Sequence, residues 1–114
     1  MGALPVGAQA PDFSVETHDG TALQLSELLE RSAIVLFFYP RDFTPGCTAE
    51  ACAFRDDYTD FAEAGAAVVG VSADSGESHR RFAQHHNLPF PLISDADGTL
   101  RKAYGVDKVW GVLP

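Results

Sequence analysis

The run Ala33-Ile34-Val35-Leu36-Phe37-Phe38-Tyr39 constrains this chain more than any other segment. It is apolar throughout, rich in β-branched and aromatic residues, and too short to span a bilayer. A strand without polar alternation must be covered on both faces, which is the habit of central strands in α/β sheets. A second such run, residues 67–72, follows at a distance that leaves room for one helix. Between them, Phe54, Tyr58, Phe61 and Ala62 fall at i, i+4, i+7 and i+8, one face of a helix expected over 47–64 and closed by Gly65. Ser75 or Ser78 is placed to cap another helix ending near His86, and Pro89 and Pro91 bracket the entry to a third strand at 92–94.

The flanks fit the same plan. Residues 12–16 and 21–25 alternate as two short strands about a turn at His18-Asp19-Gly20. Ser26 is placed to cap a short helix over 27–30. A last short helix is expected over 98–104, closed by Gly105. Strands alternating with helices predict an α/β sandwich around a parallel sheet. With 114 residues, no repeat and no linker, a single domain over residues 1–114 is expected.

Composition narrows the function. Sixteen acidic against eight basic residues give a net charge of −8, which repels polyanions and argues against nucleic acid as a partner. No signal-like segment opens the chain and no run is long enough for a membrane helix, so the expected compartment is the cytoplasm. The two cysteines, Cys47 and Cys52, stand five residues apart. In a reducing compartment a close pair suits redox chemistry or metal binding. Two thiols with only distant histidines, His79, His85 and His86, make a poor zinc set, so no metal is expected.

The chemistry concentrates in the segment from Phe38 to Cys52. A buried strand feeds a loop with two prolines and a glycine, and the loop delivers Cys47 to the first turn of a helix. Unpaired N–H groups and the helix dipole favour an anion there, so a thiolate gains over a thiol. Ionisation alone supplies little. A free thiol is roughly 3% ionised at neutral pH, so full ionisation gains about thirty-fold, near 2 kcal/mol of a barrier reduction that enzymes bring to at least ~8 kcal/mol. The rest must come from positioning and charge stabilisation. Thr44 offers a hydroxyl to donate to an oxygen ligand, Gly46 and Cys47 offer N–H groups, and Pro40 can wall the site against water.

Pro40-x-x-x-Thr44-x-x-Cys47 resembles the active-site motif of the peroxiredoxins. The longer run Thr44-Pro45-Gly46-Cys47-Thr48 to Glu50-Ala51-Cys52, with Phe54-Arg55-Asp56, is similar to the bacterioferritin-comigratory (Q-type) subfamily. Val71-Ser72, Ser78-His79, Leu88-Pro89-Phe90-Pro91-Leu92, Ser94-Asp95 and Tyr104-Gly105-Val106 extend the likeness over nearly the whole chain. The resemblance implies a thioredoxin-like fold, a three-layer sandwich with a central sheet. It also implies reduction of hydrogen peroxide and alkyl hydroperoxides without metal or organic cofactor. By position, Cys47 would be the peroxidatic cysteine, Thr44 the peroxide-positioning hydroxyl and Pro40 the shield. Glu50 and Gly46 would support them, and Cys52 would be the resolving cysteine of an intramolecular disulfide reduced by thioredoxin or a similar dithiol. A monomer or weak homodimer is implied.

Spacing adds a constraint of its own. Residues five apart in an intact helix have Cα atoms about 8.7 Å apart, beyond the roughly 7 Å a disulfide spans. Cys47 and Cys52 can therefore join only after the first turn unwinds.

Other readings stand beside these. Cys47 could be an inert buried thiol, Cys52 a core-facing helix residue, Thr44 a loop residue bonded to its own backbone, and Glu50 a carboxylate drawn by the dipole. Arg41 and Arg55 are expected to be solvated, the histidines of the 76–86 region to face solvent, and Trp110 to be either core or interface. The family pattern also carries an arginine, further strands and a final helix beyond Tyr104-Gly105-Val106, which this sequence does not contain. The expectation is a C-terminally incomplete piece of a longer peroxidase, the alternative a short chain of weak or no activity. A thiol–disulfide oxidoreductase or redox-regulated binding module is the rival class, though such enzymes use Cys-x-x-Cys, whose sulfurs meet without unfolding.

Overall fold

The structure, a computed structural model, describes Pro5 and residues 7–106. Trp110 lies outside the described residues. The chain order is β1 (Ser14–Glu16), β2 (Ala22–Gln24), α1 (Leu25–Leu29), β3 (Ala33–Phe38), α2 (Pro45–Asp56), α3 (Tyr58–Glu63), β4 (Ala66–Ser72), α4 (Gly76–His86), β5 (Leu92–Ser94) and α5 (Thr99–Ala103). The three apolar runs form one parallel sheet in the order β3-β4-β5, with Ala33 opposite Ala66 and Gly70 opposite Leu92. β1 and β2 make an antiparallel hairpin, and a bridge from Thr17 to Ile93 fastens it beside β5.

The two faces of the sheet separate by the period of two that strands impose. Val35, Phe37, Tyr39, Val68 and Leu92 face one core, completed by Ala51, Phe54 and Phe61 from α2 and α3 and by Phe82 and Ala83 from α4. Ile34, Leu36, Val69, Val71 and Ile93 face the other, covered by Leu23, Leu28, Leu100 and Tyr104. Both crossover connections pack on the same face, as right-handed connections across a sheet built in one direction require. This is the expected three-layer α/β sandwich. Among the described residues β3 pairs only with β4, so its other edge is open, and Ile34, Leu36 and Phe38 line a shallow apolar cavity of about 250 Å³ there with Leu25, Leu29 and Tyr104.

Several local expectations change. The helix expected over 47–64 is two helices, because Asp57 (φ −95°, ψ 8°) leaves helical geometry and Phe61 N–H restarts on the Asp57 carbonyl. Adjacent Asp56 and Asp57 are poor helix formers. Ala62, assigned to the buried face, is exposed. Ser26 does not cap α1. It lies inside that helix, and its N–H donates to the Asp12 carboxylate at 2.9 Å. Ser75 does cap α4, accepting from the Ser78 N–H, and Asn87 closes that helix in the left-handed region.

Candidate active site

β3 ends on Phe38, the Tyr39 N–H just beyond it still pairs with the Val71 carbonyl, and the chain turns into the loop 40–44. A buried polar cluster holds this loop. Asp42 is 4% exposed. Its carboxylate accepts from Tyr39 Oη at 2.6 Å, from Ser78 Oγ at 2.9 Å and from His79 Nδ1 at 2.7 Å. The Asp42 N–H donates to Asp74 Oδ2 at 2.7 Å, and Ser72 Oγ donates to the same oxygen. His79 Nε2 lies 3.0 Å from the Ile93 carbonyl. Both ring nitrogens of His79 thus lie within hydrogen-bond distance of an oxygen, which fixes the ring between the loop and β5. Burial alone would raise the Asp42 carboxyl, but the bonds from His79, Tyr39 and Ser78 outweigh it and hold it below the usual carboxylate value. Burial and the neighbouring Asp42 charge push the Tyr39 phenol far up, so it remains a donor.

His79 is therefore fully buried rather than solvent-facing, and His86 is half-buried; only His85 of the three stays exposed. Ligating atoms of Asp42, Asp74 and His79 lie within 4.8 Å of one another. The hydrogen bonds just described account for them as a hub that ties the loop to β4, α4 and β5. Neither cysteine belongs to that cluster.

Phe43 fastens the loop from outside. It takes φ 66°, an uncommon conformation for an aromatic residue that costs of order 1–3 kcal/mol. The ring then lies edge-on against Phe82 at 5.1 Å and beside His85 and His86.

With both flanks fixed, α2 begins at Pro45, two residues earlier than expected, with Thr44 as N-cap. Pro45 suits the first helical position because it has no N–H to leave unpaired. The first intrahelical bond runs from Thr48 N–H to the Thr44 carbonyl at 2.8 Å, leaving Gly46 and Cys47 N–H outside the ladder. An N-cap threonine ordinarily accepts from one of these groups. Here it does not: Thr44 Oγ1 donates to the Arg41 carbonyl at 3.0 Å. The hydroxyl proton that the sequence suggested for a ligand is thus engaged with the loop backbone. Cys47, in the first turn, is partly buried against the core. Arg41 is exposed and lends its carbonyl rather than its guanidinium.

The other expected residues are placed less informatively. Pro40 and Gly46 are exposed. Glu50 is exposed too, and among the described residues no hydrogen bond or ion pair holds its carboxylate, so the supporting network expected of it is not formed there. Cys52 is half-buried on the same continuous helix as Cys47, and both thiols are free. Its sulfur lies 3.8 Å from His86 Nδ1. Arg55, expected to be solvated, is instead half-buried, with Nη1 donating to the His86 carbonyl at 2.8 Å.

A sheet strand, a pinned loop and a helix mouth that presents a thiol define a thioredoxin-like cysteine domain. The AhpC/TSA family profile matches residues 6–113, and the chain belongs to that family, with peroxiredoxins of the Q or Bcp type as its relatives. It is 46% identical to the chloroplastic peroxiredoxin Q of rice (Oryza sativa subsp. japonica) over 114 residues, covering 99% of this chain and 52% of that one. The crystal structure of peroxidoxin BcpB from Mycobacterium tuberculosis superposes with a TM-score of 0.84 at 43% identity, over 92% of this chain and 66% of that one. A Xanthomonas campestris bacterioferritin comigratory protein, described for its alkyl peroxide reduction activity, matches at 37% identity and TM-score 0.77, over 81% of this chain and 58% of that one. The chain spans about half the length of the rice relative.

Proposed function

We propose that the chain carries the peroxide-reducing half of a thiol peroxidase. The observation behind this is the unused cap: Thr44 turns its hydroxyl away from the helix, so its oxygen and two N–H groups stay available around Cys47. The terminal O–H of a hydroperoxide donates to Thr44 Oγ1, and the helix-mouth N–H groups donate to the leaving oxygen, where charge develops. The Cys47 thiolate attacks the terminal oxygen, the O–O bond breaks, and an alkoxide or hydroxide leaves to take a proton. Cys47 becomes a sulfenic acid. Such a substrate is small, so a bordered helix mouth suffices; a cavity of about 380 Å³ between the hairpin and Leu88–Pro91 contains neither Thr44 nor Cys47.

Cys52 then resolves the sulfenic acid. Both cysteines lie on unbroken α2, so the first turn must unwind before their sulfurs meet. The substrates are hydrogen peroxide and alkyl hydroperoxides, and a thioredoxin-like dithiol returns the disulfide to thiols. No helix among the described residues is long and apolar enough to cross a membrane. The cytoplasm is the proposed compartment, and a monomer or weak homodimer the working form. Stopped-flow oxidation tests the reading. Cys47→Ser should abolish fast peroxide consumption, whereas Cys52→Ser should consume one equivalent and stop at the sulfenic acid. Fast consumption by Cys47→Ser would refute it.

A further inference from the structure

We infer that His86 is the base that accepts the Cys52 proton when that thiol attacks oxidised Cys47, an assignment that rests on the peroxidase reading above. No motif points to His86; the contact arises because the end of α4 packs against the middle of α2. Its Nδ1 is 3.8 Å from Cys52 Sγ. The ring is held from three sides, by Phe82 at 5.2 Å, by Phe43 at 6.2 Å and by His85 at 4.7 Å. The titratable and charged groups facing it are His85 from its own helix and Cys52 and Arg55 from α2. Partial burial, then the His85 and Arg55 charges, hold the imidazole below its usual value, which leaves a lone pair at neutral pH to take a proton.

The arrangement also survives the movement that disulfide formation needs. Past Cys52, α2 is pinned: Arg55 Nη1 binds the His86 carbonyl, and Phe54 stacks on Phe37 at 4.7 Å. Ala51 is 1% exposed. The first turn is held more lightly, by the partial packing of Cys47 on the core, since Pro45, Gly46, Ala49 and Glu50 are exposed and its cap lacks a side-chain bond. Unwinding from the N-terminal end therefore moves Cys47 and leaves Cys52 beside His86.

The step balances without another reactant. His86 Nδ1 takes the thiol proton, the Cys52 sulfur supplies an electron pair to the Cys47 sulfur, and the S–O bond breaks. The departing hydroxide takes up a proton and leaves as water. Cys52 is oxidised, and the sulfenic sulfur is reduced to the disulfide level.

The test separates disulfide formation from sulfenic acid formation by rapid quench, alkylation and mass spectrometry across pH. In His86→Gln, which keeps the shape but not the basicity, the ratio of the resolution rate to the oxidation rate should fall about 10²-fold at neutral pH. The wild-type inflection in the imidazole range should vanish, and added imidazole should restore His86→Ala. A His86→Gln protein with the wild-type ratio and pH profile would overturn the assignment. So would a slowed variant that keeps the inflection and ignores imidazole, because that is the signature of lost packing. If wild type forms no 47–52 bond at all, the resolving role of Cys52 fails, and the assignment fails with it. A normal bond with an indifferent His86 removes the assignment alone.

Discussion

Ala49 sits exposed on α2 between the two cysteines and two residues past Cys47, so Ala49→Gly alters the helix and little else. Glycine is about 0.8–1.0 kcal/mol less favourable than alanine inside a helix, because the unwound chain regains more freedom. If the turn carrying Cys47 must open before the sulfurs meet, that difference enters the opening equilibrium in full. At 1.36 kcal/mol per factor of ten, disulfide formation should accelerate about four- to five-fold. The folded protein should lose about 1 kcal/mol in urea unfolding. Gly46→Ala pushes the other way: an added Cβ meets no heavy atom within 4 Å, so the residue gains helix propensity without a clash and resolution should slow by a comparable factor. The assay follows the disulfide after one equivalent of peroxide, by quench and alkylation, for both variants against wild type. An Ala49→Gly protein that resolves at the wild-type rate, or more slowly, would show that the bond forms without unwinding this turn.

Three further outcomes follow from the same geometry. Asp42→Asn replaces the buried carboxylate that receives Tyr39, Ser78 and His79 with an amide that cannot accept from all three, and leaving a buried donor unpaired should cost about 1–3 kcal/mol in urea unfolding. Because the Asp42 carboxyl is held below its ordinary 3.8, its contribution is complete above that pH and is lost as pH falls through the lower folded value, so the acid-unfolding limb should flatten in the variant. Thr44→Val removes the hydroxyl proposed to receive the peroxide and should slow Cys47 oxidation about 10²-fold in stopped flow. Gly70→Ala places a Cβ 2.8 Å from Leu92 Cδ2 and 2.9 Å from Phe37 Cζ, and this overpacking should cost about 1–3 kcal/mol in the same unfolding assay.

The sheet was legible because each of its strands carries its own signal, a short apolar run with turn residues on either side. The helix mouth at Cys47 was legible for the same reason, since Pro45 and Gly46 announce it locally. What escaped depends on residues far apart in the chain. Asp42 and His79 meet across 37 positions, and nothing near either announces the other. A signal for the histidines did exist: His79, Phe82, Ala83 and His86 fall at i, i+3, i+4 and i+7, so both histidines share the apolar face of α4. Reading histidine as a surface residue by type overrode that period. The direction of the Thr44 hydroxyl was beyond reach, because it depends on the Arg41 carbonyl and on the left-handed turn at Phe43. Glu50 shows the opposite error, since its position in the motif suggested a network that its exposed carboxylate does not join among the described residues.

Peptide mapping of the protein after a single equivalent of hydrogen peroxide puts the whole scheme at risk at once. One intramolecular cross-link is expected between the peptides holding Cys47 and Cys52, formed within a single chain and lost on treatment with a dithiol. A Cys47 that stays a thiol, or that oxidises to sulfenic or sulfinic acid while Cys52 remains free, would contradict it.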